Sequence, residues 1–337
     1  MLNAMWFQRA GFAAVAGLMG CSALPQAPSP SPALEAGAFQ NLARPHLPDA
    51  GSASKRVIYY YQTQYSNGQY VSLAPIWAKL NPVTHKPPVT DVMIAAFHLG
   101  HNTDGSPYIH LNDNVPGDPM FDVMWPQVAT LQTYGVTTRM MLGGAAQGSY
   151  ALLFSDWKTF YPILKGTLKT YKMNGIDLDV EENVSLPNIE KLIAKLHADF
   201  GNRFLITLSP VASALWGGAN LSGFGYVQLY KSSAGADIAW FNGQFYSGFA
   251  TMGSPADYTH VLQAGVFPAS KVVAGVIANP NDGFGYVPVQ TVAKTVTGLV
   301  AAYPTFGGVA DWEYFDALPG GPSNPVEWAR ILKTAMR

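Results

Sequence analysis

From residue 56 onward, short runs rich in β-branched and aromatic residues alternate with longer stretches in which apolar side chains recur every three to four positions. The first pattern marks buried strands and the second amphipathic helices. It predicts strands over 56–62, 92–98, 138–143, 175–181, 204–209, 238–246, 272–277 and 307–314. Helices are clearest over 161–173, 186–200, 289–302 and 325–336. Eight strands alternating with helices over about 280 residues suit an α/β fold, the single-domain (β/α)8 TIM barrel. An open doubly wound sheet is the competitor. The count of eight and the lack of a Gly-x-Gly-x-x-Gly turn after the first strand argue against it.

The first 54 residues break this pattern. Arg9 precedes an apolar run, Ala10 to Gly20, that is too short to span a bilayer but suits a secretory signal. Leu18-Met19-Gly20-Cys21 resembles a bacterial lipobox, in which the cysteine is lipidated and becomes the mature N-terminus. An ordinary signal peptide cut near Ala23 is the alternative. Pro25, Pro28, Pro30, Pro32, Pro45 and Pro48 then lie among Ser, Ala and Gly with no hydrophobic period, which reads as an extended tether. The expected organisation is a signal peptide with lipobox (1–21), a Pro-rich linker (22–54) and a catalytic barrel (55–337). Such a chain is exported from the bacterial cytoplasm, as an anchored lipoprotein of the cell envelope or in secreted form.

Composition narrows the function. With 48% hydrophobic and 12% aromatic residues the chain can fill a sizeable core, so disorder over the whole length is excluded. A net charge of -1, from 20 basic and 21 acidic residues, offers no broad footprint for nucleic acid. The single cysteine excludes a disulfide framework and a thiolate metal cluster.

The fourth strand carries the candidate chemistry, in Asn174-Gly175-Ile176-Asp177-Leu178-Asp179-Val180-Glu181-Glu182. Side chains alternate faces along a strand, so Asp177, Asp179 and Glu181 share one face and Ile176, Leu178 and Val180 the other. In a parallel barrel the apolar set faces the helices and the acids line the interior. Like charges that close cannot all ionise, so at least one pKa must rise. Glu181 comes last, at the strand's C-terminal end, where barrel enzymes keep catalytic groups, and a carboxylic acid held neutral there can act as general acid. A solvated acidic loop is the bland alternative, which the alternation with Ile, Leu and Val disfavours. A magnesium or calcium site is the other, with Asp311 and Glu313 the sole acidic partners at another strand end.

These residues resemble glycoside hydrolase family 18, the chitinases and endo-β-N-acetylglucosaminidases, whose fourth-strand motif is Asp-Gly-x-Asp-x-Asp-x-Glu. The match runs from Gly175 to Glu181, with Asn174 in place of the first Asp. Val180, where many bacterial chitinases have Trp, looks more like the plant-type, hevamine-like branch. Met141-Leu142-Gly143-Gly144 resembles the third-strand Ser-x-Gly-Gly, Gln244-Phe245-Tyr246 the plant-type Gln-Phe-Tyr, and Asp311-Trp312-Glu313 the eighth-strand segment that supplies the subsite tryptophan.

The resemblance implies a retaining hydrolysis of β-1,4-linked N-acetylglucosamine polysaccharide or oligosaccharide in which the substrate's 2-acetamido oxygen is the nucleophile. Glu181 would be the acid and then the base, Asp179 would hold the acetamide N–H, and Asp177 would sit deeper, sharing a proton with Asp179. Tyr246, with Gln244 beside it, would hold the acetamide oxygen, and Trp312 would floor the sugar. No metal and no cofactor is implied, and the chain is expected to act as a monomer that meets a membrane only through its lipid. Cleavage of N-glycan cores, or a non-catalytic glycan-binding barrel, are the alternatives; the second typically lacks the glutamate. Trp216, in a Gly-rich loop, is the candidate for an extra subsite, and His98, near a strand end, for the cleft wall. The spacing of His98, His101 and His110 matches no zinc pattern. Trp240 and Phe241 read as core aromatics, and Ser209 lacks a nucleophile elbow.

Overall fold

A computed structural model describes residues 55–337; Cys21, its lipobox and the 22–54 linker lie outside the described residues. Eight strands form the barrel: β1 (Arg56–Tyr61), β2 (Asp91–His101), β3 (Thr137–Gly143), β4 (Gly175–Asp179), β5 (Leu205–Leu208), β6 (Ile238–Gln244), β7 (Val272–Ile277) and β8 (Gly308–Trp312). Each pairs in parallel with the next, and β8 returns to β1, which closes the sheet. Residues Pro107–Leu111 add an antiparallel strand to the outer half of β2.

Both faces of the wall are covered, and the apolar residues divide accordingly. Outward positions such as Ile176, Leu178 and Val180 join the large core beneath the helices. Ile58, Tyr60, Met93, Met141, Trp240 and Ala310 form a second cluster inside the barrel. Helix Leu186–Phe200 shows how one layer is built. The Ser185 side chain accepts the amide of Asn188, Pro187 opens the first turn, and Gly201 at φ 77° closes the last. Ile189, Leu192, Ile193 and Leu196 form its single buried stripe.

All eight expected strands are present, and the differences lie at their ends. β4 stops at Asp179, so Val180 and Glu181 extend past the ladder. Their carbonyls accept the Ser222 hydroxyl (2.7 Å) and the Gln147 amide (2.6 Å) in place of neighbouring backbone. The helix expected from residue 161 spans Trp157–Thr170, because the Asp156 side chain caps it and Pro162 removes one bond without ending it. Lys172, at φ 50°, lies beyond its end.

Candidate active site

Asp177 is fully buried within the barrel. Its Oδ2 accepts the hydroxyls of Tyr60 (2.7 Å) and Ser209 (2.5 Å), and its Oδ1 those of Thr207 (2.6 Å) and the amide of Asn242 (3.0 Å). Four donors on four positions surround one carboxyl, which offsets most of its desolvation. Thr207 stands directly opposite Asp177 in the β4–β5 register. Among the described residues no hydrogen bond joins Asp177 to Asp179, so the expected shared proton has no direct bridge. What links the two is repulsion.

Asp179 is also buried, and burial pushes its carboxyl well above the usual range, with Glu181 and Asp177 adding to the rise. Burial raises Glu181 too. One group opposes both shifts. Gln244, at the end of β6, directs its Nε2 to Asp179 Oδ1 (3.2 Å), Glu181 Oε1 (3.2 Å) and the Ser209 carbonyl (2.9 Å). Gln244 was expected beside Tyr246 at the sugar's acetamide, and its amide braces the two acids there. Burial and the same acids raise the Tyr246 hydroxyl, which keeps it a donor.

The glycines of the third strand are explained by closeness to β4. A Cβ on Gly143, at φ 94°, would fall 2.3 Å from the Asp179 carbonyl oxygen. Gly144 donates its N–H to that oxygen at 2.9 Å, and a Cβ there would lie 3.6 Å from Asp179 Oδ2. Asn174 replaces the motif's Asp and still accepts the Thr138 amide at 2.9 Å. Glu182 accepts the amides of Gly148, Tyr150 and Ala151, fastening the start of helix Ser149–Ser155 beside Glu181.

Trp312 ends β8 with its ring 5.7 Å from that of Tyr60, packed on the inner cluster. Its acidic neighbours are used elsewhere: Asp311 accepts the Tyr60 amide (3.0 Å), and Glu313 those of Gln62 (3.0 Å) and Thr63 (2.9 Å). Trp216 stacks on His260 at 4.9 Å, so one of its faces is already covered. His98 pairs with His110 across the β2 hairpin, and its Nδ1 is buried without a partner among the described residues. His110 stacks on Tyr108, and His101 packs edgewise on Phe160. Trp240 and Phe241 are core, as expected. The reading from sequence missed Tyr60, Thr207, Asn242 and Ser209 around Asp177. Their inward phase on neighbouring strands was the available signal.

No protein-family model matches the chain. It is 26% identical over 298 residues to chitinase 2 of Rhizopus oligosporus, an alignment covering 81% of this chain and 52% of that protein. The chain thus spans about half the length of that relative. Among solved structures, a fungal endo-β-N-acetylglucosaminidase of glycosyl hydrolase family 18 is similar at 39% identity and a TM-score of 0.76, covering 84% of this chain and 98% of that one. Chitinase ChiC from Aspergillus fumigatus is similar at 40% identity and a TM-score of 0.73, over 84% and 100% of the two chains.

Proposed function

This chain belongs to glycoside hydrolase family 18, and on that premise we propose that it hydrolyses β-1,4-linked N-acetylglucosamine chains, chitin in the first instance, with retention of configuration. The observation that carries this is the brace at Gln244, which holds Asp179 and Glu181 together above a fully hydrogen-bonded Asp177.

The chemistry follows from the electrostatics. Burial favours the protonated form of Glu181, and the repulsion it shares with Asp179 disfavours two adjacent anions, so the pair holds a proton more readily than either acid alone. Glu181 then donates its proton to the departing glycosidic oxygen. The substrate's acetamide oxygen attacks the anomeric carbon from the opposite face, forming an oxazolinium ion. Asp179 accepts the acetamide N–H and stabilises the positive charge growing there, while Tyr246 donates its hydroxyl to the acetamide oxygen. Water, deprotonated by Glu181, opens the intermediate with net retention. Trp312 offers an apolar platform to the sugar ring.

Val180 and Gln244-Phe245-Tyr246 support placing the chain in the plant-type branch. Leu18-Met19-Gly20-Cys21 supports export and a lipid anchor. A second reading, cleavage within N-glycan cores, is favoured by the similarity to the fungal endo-β-N-acetylglucosaminidase. The decisive assay offers the full chain both chitooligosaccharides and a glycoprotein, with proton NMR of fresh product. The proposal expects chitooligosaccharide cleavage with the β anomer appearing first. Equal cleavage of de-acetylated oligomers would sink the substrate-assisted route.

A further inference from the structure

At the other end of the barrel, the first residues of β1, β2, β3 and β5 open onto a cavity of about 1060 Å3. Its charge is lopsided. Among the described residues eight lysines and arginines line it, including Lys55, Arg56, Lys86, Arg203, Lys333 and Arg337. A single acidic side chain among the described residues does, that of Asp91, and it is already engaged by Arg139 and Thr137. Overall near-neutrality therefore conceals a strongly cationic end.

The crowding is felt by its members. Burial pulls the Lys333 ammonium below its ordinary pKa; Asp91 opposes this, but Arg337, Lys55 and Lys86 push the same way as burial. The inner wall is Trp240, with the guanidinium carbons of Arg56 and Arg139 lying 3.9 Å and 4.2 Å from its ring centre. Arg139 is fully buried, and its Nε and Nη1 have no hydrogen-bond partner among the described residues. Arg139 keeps Asp91 and Arg330 keeps Glu327, but the other lysines and arginines of the cavity have no carboxylate of their own among the described residues, and like charges gathered this way are costly unless an anion joins them. Lysine and arginine together suit phosphate, the one as compact charge and the other as a planar fork, and the volume admits more than one such group.

We propose that this cavity is a phosphate-binding site, separate from the sugar cleft. The phosphate would come from an anionic lipid headgroup or from a soluble phosphate ester. Neither source depends on the reading of the catalytic site.

The test uses the full chain carrying Cys21→Ala, so that no attached lipid intervenes, and the same chain with Lys86→Glu and Arg337→Glu added. Both of these residues are exposed, so the fold should persist, as an unchanged circular dichroism spectrum would verify. Each protein is titrated with inorganic pyrophosphate in a calorimeter and sedimented with phosphatidylglycerol or phosphatidylcholine vesicles. Saturable binding weakened about tenfold or more by the reversals, and further by salt, supports the site. Pyrophosphate binding marks a soluble ligand, and binding to phosphatidylglycerol vesicles alone marks a membrane. Binding to neither probe, or binding that the reversals leave unchanged, overturns the proposal.

Discussion

The side-chain nitrogen of Gln244 stands 3.2 Å from Oε1 of Glu181. A hydrogen bond to a carboxylate favours its charged form, so this contact restrains the rise that burial imposes on the acid. Gln244→Leu removes the donor and should let the Glu181 pKa climb further. The alkaline limb of the kcat/KM profile, which reports the free enzyme's acid, should move to higher pH. Turnover should fall as well, because Glu181 loses its brace. A pH–rate profile of both proteins checks this, and an unmoved limb would contradict the assignment.

Gly143→Ala should destabilise the barrel. The new methyl would meet the Asp179 carbonyl oxygen, on backbone that a side chain rarely tolerates. A loss of about 1–3 kcal/mol is expected from overpacking and strain together. Thermal unfolding reads it directly, and activity should drop because β4 carries the acids. A variant with the parent's melting temperature would show that the strands separate freely here.

Asp282 sits where repulsion accumulates. Its Oδ2 accepts the Glu313 amide at 3.3 Å, and burial, then Asp316 and Glu313, push its pKa up to about 8. In the unfolded chain it would titrate near 3.8. Between those values the folded state keeps the proton that the unfolded state has lost, so stability falls as pH rises. Asp282→Asn stays neutral throughout. The drop in melting temperature between pH 5 and pH 8 should therefore be smaller in the variant, and an equal drop would refute the role given to Asp282.

Cys21→Ala should release the protein from the membrane fraction. Cell fractionation of the parent and the variant measures it. Equal recovery of both in soluble form outside the cytoplasm would remove the anchor from the account.

Much of this arrangement was legible in the residues themselves. The alternation of Asp177, Asp179 and Glu181 with Ile176, Leu178 and Val180 placed acids inside and apolar residues outside, because a strand's two faces meet different surroundings. Strand ends were less legible. Glu181 lies beyond β4, since the side chains of Ser222 and Gln147 take the carbonyls there, and such partners are distant in sequence. The shell around Asp177 comes from β1, β5 and β6, and it appears once register sets Thr207 opposite Asp177. The cationic cavity escaped notice for the same reason. Its charges are spread from Lys55 to Arg337 and converge through closure of the barrel.

The central claim is that Glu181 gives the proton and Asp179 orients the acetamide. The most direct test compares kcat/KM of Glu181→Gln and Asp179→Asn on chitooligosaccharides and on a 4-methylumbelliferyl glycoside, whose leaving group needs little protonation. Glu181→Gln should lose about 10²–10⁴-fold on oligomers and recover part of that on the activated glycoside. Asp179→Asn should lose activity on both without comparable recovery. Near-parental oligomer cleavage by Glu181→Gln, or rescue confined to Asp179→Asn, would contradict the assignment.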